Sequence, residues 1–72
     1  MTLDKVAVGG AVKIARLNGE GPVKRRIMDM GLTKGTEVKV CKIAPLGDPI
    51  QLTVRGYELS IRKDEAAKIE VA

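Results

Sequence analysis

Alternation of apolar and polar residues dominates the chain and predicts a series of short β-strands. Four segments place an aliphatic residue at every second position, which is the period of a strand with one buried face. Glycines and prolines separate these segments, as is typical of tight turns. The predicted strands are Ala11–Leu17, Thr36–Ile43, Ile50–Val54, Tyr57–Arg62 and a last short one, Lys68–Val71.

One segment has the period of a helix instead. Val23, Ile27 and Met30 recur at i, i+4 and i+7, so they share one face of a helix predicted over Pro22–Met30. A proline is well suited to the first helical position, where its missing N–H costs nothing. Gly31 follows the last periodic residue, where a left-handed cap favours a residue without Cβ.

Turns and caps complete the prediction. Leu32 follows the capping glycine, where a Schellman motif packs a hydrophobic residue against the last helical turn. Single helical turns are expected at Leu3–Val6 and at Asp64–Ala67, with Asp64 as the N-cap of the latter. The glycines predicted to serve as structural turns are Gly31, Gly35, Gly47 and Gly56.

These elements predict the fold class. Five short strands, one inserted helix and no βαβ spacing favour a mainly β protein, a small antiparallel barrel formed by residues 1–72 as one domain. The core must be aliphatic, because Tyr57 is the only aromatic residue in the chain.

Charge and cysteine content limit the classes of partner and the cellular compartment that the chain is suited to. The net charge of +4, from 13 basic and 9 acidic residues, is compatible with nucleic acid, an anionic surface or an acidic protein. The single Cys41 excludes an internal disulfide and is typical of a reducing compartment. Residues 1–20 contain no apolar leader segment, and no run is long enough to span a membrane. We therefore expect a cytoplasmic protein without direct membrane insertion.

The residue types present argue against catalysis. The chain has no histidine, which excludes Ser-His-Asp, Cys-His and His-metal arrangements. Its carboxylates are scattered, and its glycines occur at turns rather than in a phosphate-binding loop. We expect no enzymatic activity, no cofactor and no metal site made by the side chains of one molecule.

Three segments together form a recognisable pattern: Arg25–Leu32, Ala44–Pro49 and Arg55–Tyr57. In order and spacing they resemble the FeoA family, small cytosolic accessory proteins of bacterial ferrous iron transport, and the resemblance extends over nearly the whole chain. It implies an SH3-like barrel that is also similar to the C-terminal domain of iron-dependent repressors. It further implies association with FeoB, the membrane permease that carries a cytoplasmic GTPase domain. The transition-metal binding often attributed to the family has little support in a chain without histidine.

Six residues are candidates for binding a partner, on the exposed side of the helix and in neighbouring loops. Basic residues around flexible apolar ones form a contact that charge can steer and burial can hold. The candidates are Lys24, Arg25, Met28, Leu32, Leu46 and Tyr57.

A purely structural interpretation exists for most of these candidates. Arg25 can pair with Asp29 four residues later on a solvated helix face. Met28 can pack against neighbouring loops, Leu46 can act as a lid over the barrel, and Tyr57 can cap its core. The sequence does not decide between these interpretations, nor does it settle whether the protein self-associates.

Three functions are compatible with the sequence. The first is a non-enzymatic module that binds the cytoplasmic part of a ferrous iron permease and modulates transport. The second is a small basic barrel that binds nucleic acid, although single-strand binding barrels use several stacking rings and this chain offers only Tyr57. The third is a metal-sensing regulatory domain, which lacks accompanying DNA-binding helices in these 72 residues.

Overall fold

The computed structural model describes all 72 residues and contains five strands and two helices. A single 3-10 turn at Leu3–Lys5 precedes them. The strands are β1 (Ala11–Leu17), β2 (Glu37–Ile43), β3 (Ile50–Val54), β4 (Tyr57–Ile61) and β5 (Ile69–Val71). The helices are α1 (Gly21–Asp29) and the short α2 (Lys63–Ala66).

All neighbouring strands are antiparallel, in the order β4-β3-β2-β1-β5. The pairing shifts register once between β1 and β5, after Ile14, and once between β2 and β3, after Val40. Such bulges bend a strand and increase its twist, which lets a small sheet curl around one core. The predicted mainly β, antiparallel architecture with one substantial inserted helix is confirmed.

The core is entirely aliphatic, as the composition requires. Alternation carries the side chains of the strands inward: in β3, for example, Ile50, Leu52 and Val54 are buried. Fourteen apolar residues form one buried cluster, made of Leu3, Val6, Ile14, Ile27, Leu32, Val38, Val40, Ile50, Leu52, Val54, Ile61, Ala66, Ile69 and Val71.

The end of α1 has the geometry of a Schellman cap. The N–H of Gly31 donates to the carbonyl of Met28 at 2.9 Å, and the N–H of Leu32 donates to that of Ile27 at 3.3 Å. Gly31 has φ of +89°, and Ile27 and Leu32 are fully buried. The predicted cap is confirmed, and the helix begins one residue earlier and ends one residue earlier than predicted.

The start of α2 differs from the prediction, because Asp64 is not its N-cap. The helix begins after Arg62, whose N–H donates to Oε1 of Glu65 at 3.1 Å. The N–H of Lys63 donates to Oδ1 of Asp48, which lies in the loop between β2 and β3. The acceptors at the start of α2 are thus Glu65 within the helix and Asp48 from a distant loop, while Asp64 accepts only the N–H of the next residue.

We predict that Gly31→Ala destabilises the protein more than Gly35→Ala. Both positions have positive φ, which costs an L-residue roughly 1–2 kcal/mol. Only at Gly31 would the new Cβ meet the Tyr57 hydroxyl, at 2.8 Å. Displacing that hydroxyl removes a hydrogen bond worth about 1 kcal/mol, or roughly 4–8 °C in the melting temperature of so small a domain.

Thermal unfolding of both variants, alone and combined with Tyr57→Phe, measures this difference. In the Tyr57→Phe background, the difference in melting temperature between the Gly31→Ala and Gly35→Ala variants should disappear. A gap that persists there would contradict the assignment of the extra cost to the tyrosine hydroxyl.

Candidate functional site

The outer face of α1 carries most of the predicted binding residues. Lys24, Arg25 and Met28 are all exposed, with 45% of the Met28 surface accessible. The helix can present them because Ile27 fixes its opposite face in the core. An unbranched thioether at the surface adapts its shape to a partner at little cost.

Lys24 and Met28 face a groove between the helix and the first strand, which we call the α1–β1 groove. Its volume is about 270 Å³. It is lined by Ala15, Arg16, Leu17, Lys24, Met28, Thr33 and Lys34.

The α1–β1 groove is electropositive. Three of its lining residues are cationic and none is acidic. Glu70 lies 3.7 Å from Nε of Arg16 and offsets part of one charge. Lys24 and Lys34 form no ion pair within the protein, so their charges are available to a ligand.

Arg25 lies outside the groove, beside Gly21 and Pro22 at the start of α1. It forms no ion pair, so the alternative interpretation in which it pairs with Asp29 does not hold. Its charge is therefore also available to a partner.

The neighbouring Arg26 has a structural role instead. Its Nε lies 3.4 Å from Oε2 of Glu65, a carboxylate whose side chain is only 9% exposed. The same carboxylate accepts the N–H of Arg62 at the start of α2. This ion pair connects the two helices and removes Arg26 from the free basic surface.

Tyr57 is hydrogen-bonded to the end of α1. Its hydroxyl donates to the carbonyl of Met30 at 3.0 Å, and 46% of the residue remains exposed. It therefore does not cap the core, as one interpretation of the sequence suggested, but satisfies a terminal carbonyl of the helix.

Two other candidates do not join this surface. Leu32 is fully buried, so its prediction as a partner-binding residue is wrong. The Schellman cap that places it beside Ile27 also removes it from solvent. Leu46 is 96% exposed but lies in the loop between β2 and β3, at the opposite end of β3 from the turn that leads into Tyr57.

Arg16 and Lys34 are functional candidates that the sequence analysis missed. Neither belongs to the helix on which the charged cluster was recognised. The short connection from Asn18 to Glu20 was a usable signal, because so few residues keep the end of β1 beside the start of α1.

The side chains at the site offer ammonium and guanidinium groups, a thioether and one phenol. No group of three or more histidine, cysteine, aspartate or glutamate side chains is arranged to hold a metal ion. The Sγ atom of Cys41 lies 2.7 Å from the Thr53 hydroxyl, on the sheet and apart from this surface.

Comparison with known proteins identifies the family. The model of the FeoA domain matches residues 1–72. The chain belongs to the FeoA family. Over 71 residues it is 38% identical to a Porphyromonas gingivalis protein described as a fusion of Fe(2+) transport protein A with the Fe(2+) transporter FeoB. The match covers 99% of this chain but only 8% of that much longer protein.

Solved structures of FeoA proteins have the same fold. The FeoA-like protein of Clostridium acetobutylicum is 46% identical, with a TM-score of 0.93 over the whole chain and 84% of its own length. Stenotrophomonas maltophilia FeoA, described as a prokaryotic SH3 domain protein and solved with zinc, is 24% identical, with a TM-score of 0.86 over the whole chain and 89% of its own length. The likeness confirms the predicted SH3-like fold.

The predicted similarity to iron-dependent repressors is confirmed at the level of fold. IdeR from T. acidophilum superimposes with a TM-score of 0.87 at 21% identity, over 99% of this chain and 32% of that protein. None of the helices of this chain is long and apolar enough to cross a bilayer.

We predict that Arg26→Glu destabilises the protein whereas Arg25→Glu does not. The first change places a second carboxylate beside the nearly buried Glu65 and costs roughly 1–2 kcal/mol. The second changes an exposed side chain without an ion-pair partner. Chemical denaturation of the two variants measures the difference, and equal stabilities would contradict the structural role of Arg26.

Ferrous iron should not bind one molecule of the protein with micromolar affinity. The carboxylates are dispersed, and the chain offers no imidazole and only one thiol. Anaerobic calorimetry with the monomeric protein tests this expectation. Micromolar binding at one site per monomer would refute it, whereas metal shared between molecules would not.

Proposed function

We propose that this protein is a non-enzymatic accessory protein of bacterial ferrous iron uptake. It binds the cytoplasmic part of a FeoB-type permease, the region that carries the GTPase domain, and modulates transport. The observation that supports this most directly is the fused relative, in which a FeoA chain and a FeoB transporter are one polypeptide. Covalent fusion raises the effective concentration of two modules, an advantage only if they act together.

The exposed α1 face supplies the contact surface in this proposal. The unpaired charges of Lys24 and Arg25 steer an acidic partner, and Met28 provides apolar area that is buried on contact. Tyr57 extends the surface at the end of the helix. Because the GTPase region lies in the cytoplasm, the protein acts there, at the inner face of the membrane.

The double variant Arg25→Glu with Met28→Ala should lose its affinity for the permease while remaining folded. It reverses an unpaired exposed charge and truncates an exposed side chain, so the melting temperature should change by only a few degrees. Binding to the purified cytoplasmic region of the cognate permease should fall at least about tenfold. Cells that carry the variant should no longer receive support for ferrous iron uptake.

A matched control is Lys42→Glu with Leu46→Ala. It makes the same change of charge and truncates an exposed apolar residue at the far end of the β2–β3 hairpin. The control should bind and transport normally. If only the control variant fails to bind the permease, the docking surface lies around Leu46. If the control and the α1 double variant both bind normally, the α1 face is only a solvated surface.

Nucleic acid is the competing partner, favoured by the three unpaired cations at Lys24, Arg25 and Lys34. We expect binding to DNA and RNA to be weak and to fall steeply with salt, since it reflects charge without stacking rings. Fluorescence anisotropy with labelled oligonucleotides at two ionic strengths measures this. Tight binding at physiological salt would favour the nucleic-acid function over permease binding.

A further inference from the structure

The last part of β1 has a strand neighbour on one side only. On the β2 side its hydrogen bonds end at Ile14, whose N–H donates to the Thr36 carbonyl and whose carbonyl accepts the Gly35 N–H, whereas its pairing with β5 continues to Leu17. The Asn18 N–H donates to the Lys68 carbonyl at 2.7 Å, which shows that Asn18 faces β5. Peptide groups alternate in direction along a strand, so the N–H and C=O of Leu17 point away from β5. Leu17 is also one of the residues that line the α1–β1 groove.

The groove therefore combines a free strand edge with the exposed face of a helix. Leu17 and Ala15 line it from the strand, and Met28 lines it from α1. A strand edge with unpaired peptide groups is the standard template for adding an extended segment of another chain. The groove volume, about 270 Å³, lies below the roughly 300–1,000 Å³ of small-molecule pockets and suits one inserted side chain.

The charge of the groove specifies the segment. Lys24 and Lys34 line the groove without ion-pair partners, and Arg16 is only partly neutralised by Glu70. No carboxylate lines the groove. Acidic side chains on either side of an inserted apolar one would meet these cations, whereas a basic segment would be repelled.

We propose that the α1–β1 groove binds an extended acidic segment of the partner. The segment pairs with the peptide group of Leu17 and inserts an apolar side chain against Met28. Its carboxylates lie beside Lys24 and Lys34. This proposal rests on the proposed function in that the segment belongs to the permease, and it identifies the recognised element as an extended peptide rather than a folded surface.

The test uses a synthetic peptide in which glutamate alternates with leucine and valine, blocked at both ends. Titrated into isotopically labelled protein, it should shift the amide resonances of Ala15–Leu17, Lys24, Met28 and Lys34. Intermolecular NOEs should connect its backbone to the Leu17 amide. Shifts spread evenly over the basic surface, without such NOEs, would overturn strand addition.

Matched charge variants distinguish peptide binding in the groove from general electrostatic attraction to the protein. Lys24→Glu with Lys34→Glu should weaken peptide binding about tenfold or more. Lys39→Glu with Lys42→Glu changes the net charge equally on exposed lysines of β2 and should weaken it less than about threefold. Equal losses in both pairs, or a stronger response of the groove to an oligonucleotide of equal charge, would contradict the proposal.

A competition experiment distinguishes this inference from the function on which it rests. The peptide should displace the cytoplasmic region of the permease from the protein. If the permease binds but the peptide neither binds nor competes, the groove proposal is wrong and the proposed function stands. If the peptide binds the groove but the permease does not bind at all, the proposed function is wrong and the groove recognises another acidic segment.

Discussion

The burial of Ile27 and Leu32 at the end of α1 is the constraint on which the functional surface depends. A helix of nine residues is too short to be stable alone in water, so it exists because its apolar face is held in the core. The left-handed Gly31 reverses the chain between these two anchors, and the Tyr57 hydroxyl satisfies the carbonyl of Met30. With one face fixed in this way, the opposite face has a defined orientation towards solvent and towards β1.

Features that depend on local periodicity and local chemistry could be predicted from the sequence. Strand alternation places Val38 and Val40 in the core because the side-chain period of a strand leaves no other choice once one face is buried. The cap at Gly31 was equally predictable, because few residues other than glycine adopt its left-handed backbone conformation. Leu32 was predicted both to pack in the cap and to bind a partner, but a residue buried in the cap cannot contact a partner. Its complete burial shows that it serves the cap.

Features that depend on distant parts of the chain could not be predicted in this way. Arg26 pairs with Glu65, which lies far along the chain, because the fold brings α2 beside α1. The carboxylate of Asp48, from the loop between β2 and β3, likewise accepts the Lys63 N–H at the start of α2, a contact that no local pattern indicates. The α1–β1 groove is of the same kind, since its cations come from a strand, a helix and a turn, and only the fold brings Arg16 and Lys34 to one place.

The most direct test of this account is a map of the protein surface that the permease covers. Cross-saturation NMR of the labelled protein, bound to the unlabelled cytoplasmic region of the permease, reports which amides lie at the interface. The account predicts that the affected amides fall on α1 between Lys24 and Met28 and on the end of β1 around Leu17. A footprint centred on Leu46 and the β2–β3 loop, with α1 unaffected, would contradict it.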